Sequence, residues 1–184
     1  MTDSKLQTAV FAGGCFWCTE AVFQKLRGVK SVLPGYAGGT VDNPTYEQVS
    51  SGNSGHAEVI KFEYDPEVIS YQDLLAVFFA THDPTTLNRQ GGDVGTQYRS
   101  AIFYSTEQEK QAAQDFIHKL TTDGVFPDPI VTTLEPLTKF YEAEDYHKNY
   151  YERNQGAAYC QVVINPKLKK LKVLVIGDAI IDEY

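Results

Sequence analysis

Between Ala57 and Tyr64 the side chains alternate in a two-residue rhythm: Glu58, Ile60, Phe62 and Tyr64 fall on one face, Val59, Lys61 and Glu63 on the other. That is the pattern of a strand with one face toward a core. Thr8-Ala9-Val10-Phe11-Ala12 is a second β-type run. Tyr98–Tyr104, Ile130–Leu134 and Tyr159–Ile164 read as further strands, the last halted by Asn165-Pro166. Helical patterns lie between them. Ala21-Val22-Phe23-Gln24-Lys25-Leu26 follows the first run, and Ser70-Tyr71-Gln72-Asp73 opens a mostly apolar helix through Leu74, Leu75, Val77, Phe78 and Phe79. Thr106–Leu120 is a helix whose polar face carries Glu107, Glu109, Lys110 and Asp115, and Glu142–Tyr151 predicts a short one. Gly35–Thr40, Asn43–Tyr46, Ser51–Gly55 and Arg89–Gln97 read as loops. Strands alternating with helices predict an α+β layer fold, and Gly-rich loops this long inside a compact domain are usually functional.

The 184 residues suit one domain, 1–184, with a real core. At 42% hydrophobic and 22% charged the composition is that of an ordinary globular protein. The net charge of -8 disfavours nucleic acid as a partner, because phosphate binding needs clustered Lys and Arg. No stretch approaches the ~20 consecutive apolar residues of a membrane span. Met1-Thr2-Asp3-Ser4-Lys5 lacks the apolar core of a secretory signal. Three cysteines, an odd number, argue for thiol chemistry in a reducing compartment rather than for a disulfide framework. The expected location is the cytoplasm.

The densest chemistry lies in Gly13-Gly14-Cys15-Phe16-Trp17-Cys18-Thr19-Glu20, between the first strand and the first helix. Two glycines allow a tight turn that sets Cys15 at the helix start. Unpaired N–H groups and the positive end of the helix dipole there favour thiolate, and are expected to bring Cys15 below the ~8.5 of a free cysteine. Phe16 and Trp17 supply an apolar, aromatic wall for a small substrate group. Glu58 is the one polar member of an apolar strand face. Either it reaches solvent at the strand end, or burial raises its pKa and makes it a proton donor. Asp93, in a Gly-rich loop, reads alone as a turn residue, and most of the 12 tyrosines must be packing residues. His56 and His82 have no local partner at metal spacing.

Taken in order, Gly14-Cys15-Phe16-Trp17, Gly35-Tyr36-Ala37-Gly38-Gly39, Asn43-Pro44-Thr45-Tyr46, Ser51–Glu58, His82-Asp83-Pro84-Thr85 and Asp93–Ser100 resemble the peptide methionine sulfoxide reductases of the A type, over roughly residues 8–165. The resemblance implies a ferredoxin-like α/β sandwich with extensive loops. It also implies reduction of the S epimer of methionine sulfoxide, free or in proteins, with thioredoxin as electron donor and no metal or organic cofactor. By the same resemblance Cys15 matches the nucleophile, Phe16 and Trp17 the pocket for the substrate methyl group, and Glu58 the acid that protonates the sulfoxide oxygen. Tyr46, Tyr98 and Asp93 match residues that hydrogen-bond that oxygen, directly or through water. Cys160 matches a C-terminal recycling position on a mobile segment.

Two features depart from the family pattern. Cys18 stands where Gly is frequent, creating Cys-x-x-Cys, and the tail 167–184 aligns with no family motif, so that an added strand or a dimer surface are both open for it. The expected chemistry is attack by Cys15, formation of a Cys15 sulfenic acid, and condensation with a second thiol to a disulfide. Cys18 is the favoured first resolver because it shares a helix face with Cys15, and Cys160 is a possible relay. A thioredoxin-like disulfide oxidoreductase also places Cys-x-x-Cys at a helix start, but needs neither Glu58 nor the Tyr46 and Asp93 loops. A zinc module fails for want of a second ligand pair.

Overall fold

The computed structural model describes residues 5–173. Strand β1 (Gln7–Gly13) leads into helix α1 (Phe16–Phe23), strand β2 (Val29–Ala37), the short helix α2 (Tyr46–Ser50) and strand β3 (Ala57–Tyr64). Helix α3 (Tyr71–Thr81), a two-residue pair β4 (Arg89–Gln90) and β5 (Asp93–Val94), strand β6 (Ser100–Tyr104) and helix α4 (Glu107–Thr122) follow. Strands β7 (Thr133–Pro136) and β8 (Phe140–Glu142), helix α5 (Tyr150–Arg153), a π-helical turn at Cys160–Ile164 and helix α6 (Asn165–Val173) complete it. The main sheet runs β7-β6-β1-β3-β2-β8, antiparallel except for the parallel β6–β7 edge. Its inner four strands, with α1 and α3 as the connecting helices, have the ferredoxin-like order expected from the resemblance.

The β3 rhythm is realised as read. Glu58, Ile60, Phe62 and Tyr64 are all buried on one face, while Lys61 is half-buried and Glu63 exposed on the other. Phe11, paired with Ile60 on one side and Ile102 on the other, is the centre of the core. Its ring meets Phe23, Phe62 and Phe78 at centroid distances of 5.8, 5.2 and 4.9 Å, so α1 and α3 close over the same sheet face. The opposite face has its own cluster: Val10, Ala12, Val59, Ala101 and Phe103. Ser70 and Asp73 form the capping box that starts α3, as their spacing predicts.

Four readings change. Gly35, Tyr36 and Ala37 are strand rather than loop, and Val29–Leu33, with its bulge between Val29 and Ser31, belongs to the same strand. Gly35 is there for close approach: a Cβ on it would lie 2.4 Å from the Phe140 ring of β8. Tyr46 opens a short capped helix behind Thr45 instead of ending a loop. Glu142–Tyr151 is not one helix, but the end of β8, a single 3-10 turn at Asp145–His147 and the start of α5. Finally, Tyr159–Ile164 is helical. Cys160, Ile164, Leu168 and Leu171 recur at helical spacing, all packed inward, and the widened π turn lets the chain continue through Pro166. Residues 167–173 of the tail are therefore helix rather than an added strand, and 174–184 lie outside the described residues.

Candidate active site

Gly14, at φ +91, makes the turn that ends β1, and Cys15 is the N-cap residue of α1. A Cβ at Gly14 would stand 2.6 Å from the Gln90 side chain, so both the backbone angle and the space require glycine. The Cys15 carbonyl accepts the Cys18 N–H at 3.1 Å, closing the first turn and bringing the two thiols within hydrogen-bond reach of one another.

Glu58 comes to the same place from β3. Its Oε2 accepts the Phe16 N–H at 3.0 Å, and the side chain is 2% exposed. Burial pushes its pKa up to about 8, with the charges of Asp93 and Cys18 acting in the same direction against that hydrogen bond. The open alternative at the strand end is thereby resolved: Glu58 is buried and carries its proton at neutral pH.

The two thiols divide the charge differently from the expectation. Burial, the hydrogen bond to Cys18 and the neighbouring Glu58 hold the Cys15 thiol well above its ordinary range. Cys18 is lowered to about 7, chiefly because Cys15 donates a hydrogen bond to it, assisted by Lys167 and Tyr159. The helix start favours one negative charge, but two buried sulfurs in contact beside a carboxyl cannot both carry it. Of the two thiols, Cys18 is therefore the one that ionises first.

An aromatic wall stands over this pair. Phe16 is buried and Trp17 half-buried. The Trp17 Nε1–H donates to His147 Nδ1 at 3.0 Å, and the Tyr150 ring lies flat on the indole at 3.7 Å and 5°. Because the indole can only donate, neutral His147 carries its hydrogen on Nε2. The His147 ring also packs against Phe16 at 5.0 Å and Tyr46 at 4.5 Å. Glu144 binds the assembly together by accepting the Tyr36 and Tyr146 hydroxyls at 3.0 Å and the Tyr46 N–H at 3.2 Å.

Tyr46 and Tyr98 are both raised, first by burial and then by charge at Glu58, Asp93 and Cys15, so all of these groups face one another. Tyr159 closes the site from the C-terminal side, donating to Asp93 Oδ2 at 2.9 Å and lying 3.6 Å from the Cys18 sulfur. Every residue singled out from the sequence is thus drawn together except Cys160. That thiol is fully buried behind Cys18 with Ala21 and Ile164, on a helical turn rather than a mobile segment. Tyr36, Glu144, His147, Tyr150 and Tyr159 were not assigned from the sequence. The only signal for most of them is the density of aromatic and acidic residues over Tyr141–Tyr151. His56 and His82 hold backbone carbonyls, of Val41 and Phe78 respectively.

Among the described residues no three His, Cys, Asp or Glu side chains gather as metal ligands, and no helix is long and apolar enough to cross a membrane. The sequence model of the family described as peptide methionine sulfoxide reductase matches residues 7–178. This chain belongs to that family. Its activity is reduction of methionine sulfoxide. The chain is 60% identical over 166 residues to the peptide methionine sulfoxide reductase MsrA of Deinococcus radiodurans, covering 90% of this chain and 81% of that one. Among solved structures, reduced Mxr1 from Saccharomyces cerevisiae matches with a TM-score of 0.78 at 32% identity, over 86% of this chain and 91% of that chain. The methionine sulfoxide reductase A of Corynebacterium diphtheriae matches with a TM-score of 0.73 at 32% identity, over 84% and 77%.

Proposed function

We propose that this reductase acts on the S epimer of methionine sulfoxide, with Cys15 as nucleophile and Glu58 as acid. The observation that carries the reading is a protonated, buried carboxyl hydrogen-bonded to the amide that directly follows Cys15. The Cys15 proton passes to the Cys18 thiolate, and the freed Cys15 sulfur attacks the sulfoxide sulfur. Glu58 gives its proton to the oxygen, so that the adduct collapses to methionine and a Cys15 sulfenic acid. Cys18, now a thiol, condenses with the sulfenic acid, releasing water and forming the Cys15–Cys18 disulfide. Glu58 is reprotonated from solvent, and an external dithiol takes up the disulfide by exchange.

Phe16 and Trp17 receive the methyl group, while Tyr46, Tyr98 and Asp93 orient the oxygen or its water. Cys18 is the first resolver because its contact with Cys15 already exists. Cys160, one shell further back, serves as relay. Mxr1 was also solved in complex with Trx2, and a thioredoxin is the donor proposed for this chain. Three free thiols suit the reducing cytoplasm.

Incubation with each sulfoxide diastereomer and a dithiol tests the reading. The S form is expected to disappear and the R form to persist, and consumption of the R form alone would overturn it. Mass-spectrometric mapping after one turnover is expected to find Cys15–Cys18. A Cys15–Cys160 bond forming first would overturn the assignment of the resolver.

A further inference from the structure

Glu20 is the second buried carboxyl near the thiols, and the chemistry described above does not use it. It lies on α1 one turn beyond Trp17 and is 1% exposed. Burial raises its pKa, opposed by two backbone N–H groups, those of Asn149 and Tyr150, that both reach its carboxylate. The Asn149 N–H meets Oε1 at 2.9 Å. Asn149 is left-handed at φ +53, so the chain reverses immediately before α5, and the reversal presents both amides to α1. Gln24, the next residue on that face of α1, donates to Asn149 Oδ1 at 2.7 Å.

Trp17, Glu20 and Gln24 thus form one row on α1, and each binds the 147–150 turn. The turn ends in Tyr150, whose ring is stacked on Trp17. No ladder hydrogen bonds tie α5 to the sheet. Its register against α1 is set by these side-chain bonds together with the Lys25–Glu152 ion pair. A ring 3.7 Å from the indole blocks its tilt toward that side, and Glu20 is the carboxylate on the row that accepts from the main chain of the turn.

We propose that Glu20 is a positioning residue for the substrate pocket, fixing the Asn149–Tyr150 turn so that Tyr150 holds the Trp17 indole at the angle that receives the sulfoxide. The inference rests on the reading of Trp17 as a pocket wall. It extends that wall to a residue that touches neither substrate nor thiol.

Trp17 is the only tryptophan in the chain, so its emission reports the pocket directly. Glu20→Gln keeps the shape of the side chain and one accepting oxygen, but removes the charge and puts an NH2 donor in place of the other oxygen. We expect a red-shifted Trp17 emission, roughly doubled acrylamide quenching, and a KM for methionine sulfoxide raised about tenfold with kcat changed less than about twofold. Tyr150→Ala, which leaves the Glu20 bonds in place, is expected to give the same emission change and KM. The double variant Glu20→Gln/Tyr150→Ala is expected to be no worse than Tyr150→Ala alone.

A Glu20→Gln protein with lowered melting temperature but unmoved Trp17 emission and KM would overturn the proposal. If that variant does not fold, Tyr150→Ala decides: unchanged emission and KM there would overturn it equally. Failure of the wild-type chain to reduce either sulfoxide epimer would overturn instead the reading of the site, while the emission shift would still report the Glu20 contact.

Discussion

The two halves of the site are built by different means. Glu58 stands on β3 beside Tyr36 in the middle of the sheet, and Cys15 stands where β1 ends, so both inherit their positions from ladder hydrogen bonds. His147, Tyr150, Tyr159 and Cys160 stand on short turns beyond the last strand. Side chains attach those turns to the body: Trp17 to His147, Glu20 to Asn149, Lys25 to Glu152, and Tyr159 to Asp93. In the proposed reaction the sheet-borne half holds the nucleophile and the acid, and these need distances fixed to fractions of an ångström. On the same proposal the second half walls the pocket and carries the relay thiol, tasks that side-chain contacts suffice for.

The sharpest test of this division is at the cysteines. Cys15→Ser is expected to abolish sulfoxide reduction, and steady-state turnover in it would overturn the assignment of nucleophile. Cys18→Ser is expected to reduce one equivalent of sulfoxide and stall at the sulfenic acid. Cys160→Ser should leave the first turnover untouched and slow only recycling by a protein dithiol. Burst and steady-state phases measured separately distinguish the three.

Glu58→Gln is expected to slow the chemical step about 10²–10⁴-fold with little effect on binding. Wild-type kcat/KM should fall as pH rises through about 8, where Glu58 loses its proton, and that alkaline limb should be absent from the variant. Stability carries the same sign. In the unfolded chain a glutamic acid ionises near ~4.3, whereas in the folded chain Glu58 holds its proton to about 8. Wild type therefore loses stability between those values as the unfolded state gives up a proton that the native state retains. Glu58→Gln should show no such decline from this site, which thermal melts across that range will check.

Packing distinguishes the halves by smaller amounts. Phe11→Ala, at the centre of the sheet core, is expected to cost about 3–5 kcal/mol in denaturant unfolding. Glu152→Ala, which removes the half-exposed partner of Lys25 between α5 and α1, is expected to cost no more than about 1 kcal/mol. A loss from Glu152→Ala equal to that from Phe11→Ala would mean that the arm is as integral to folding as the sheet.

Elements whose identity depends on local spacing were legible in the chain. The period-two face of β3, the capping box of α3 and the turn-to-helix signature around Cys15 need only neighbours in sequence, because strand pleat and helix turn impose those spacings locally. For the same reason Glu58 stood out as the polar member of an apolar face. What neighbours alone do not determine is which chemistry survives burial. Cys15, expected to be the lower thiol from its helix start, is held up once Cys18 and Glu58 crowd it, and the charge moves one helical turn away. The strand expected at Tyr159–Ile164 became a π turn because its apolar positions find their partner on α1, remote in sequence. Likewise His147, Glu144 and Glu20 gain their roles only from groups about 100 residues away or more along the chain, Tyr36, Trp17 and Asn149 among them. Local spacing settles secondary structure and which face is buried; desolvation and contacts between distant segments, which exist only after folding, settle protonation, orientation and the walls of the pocket.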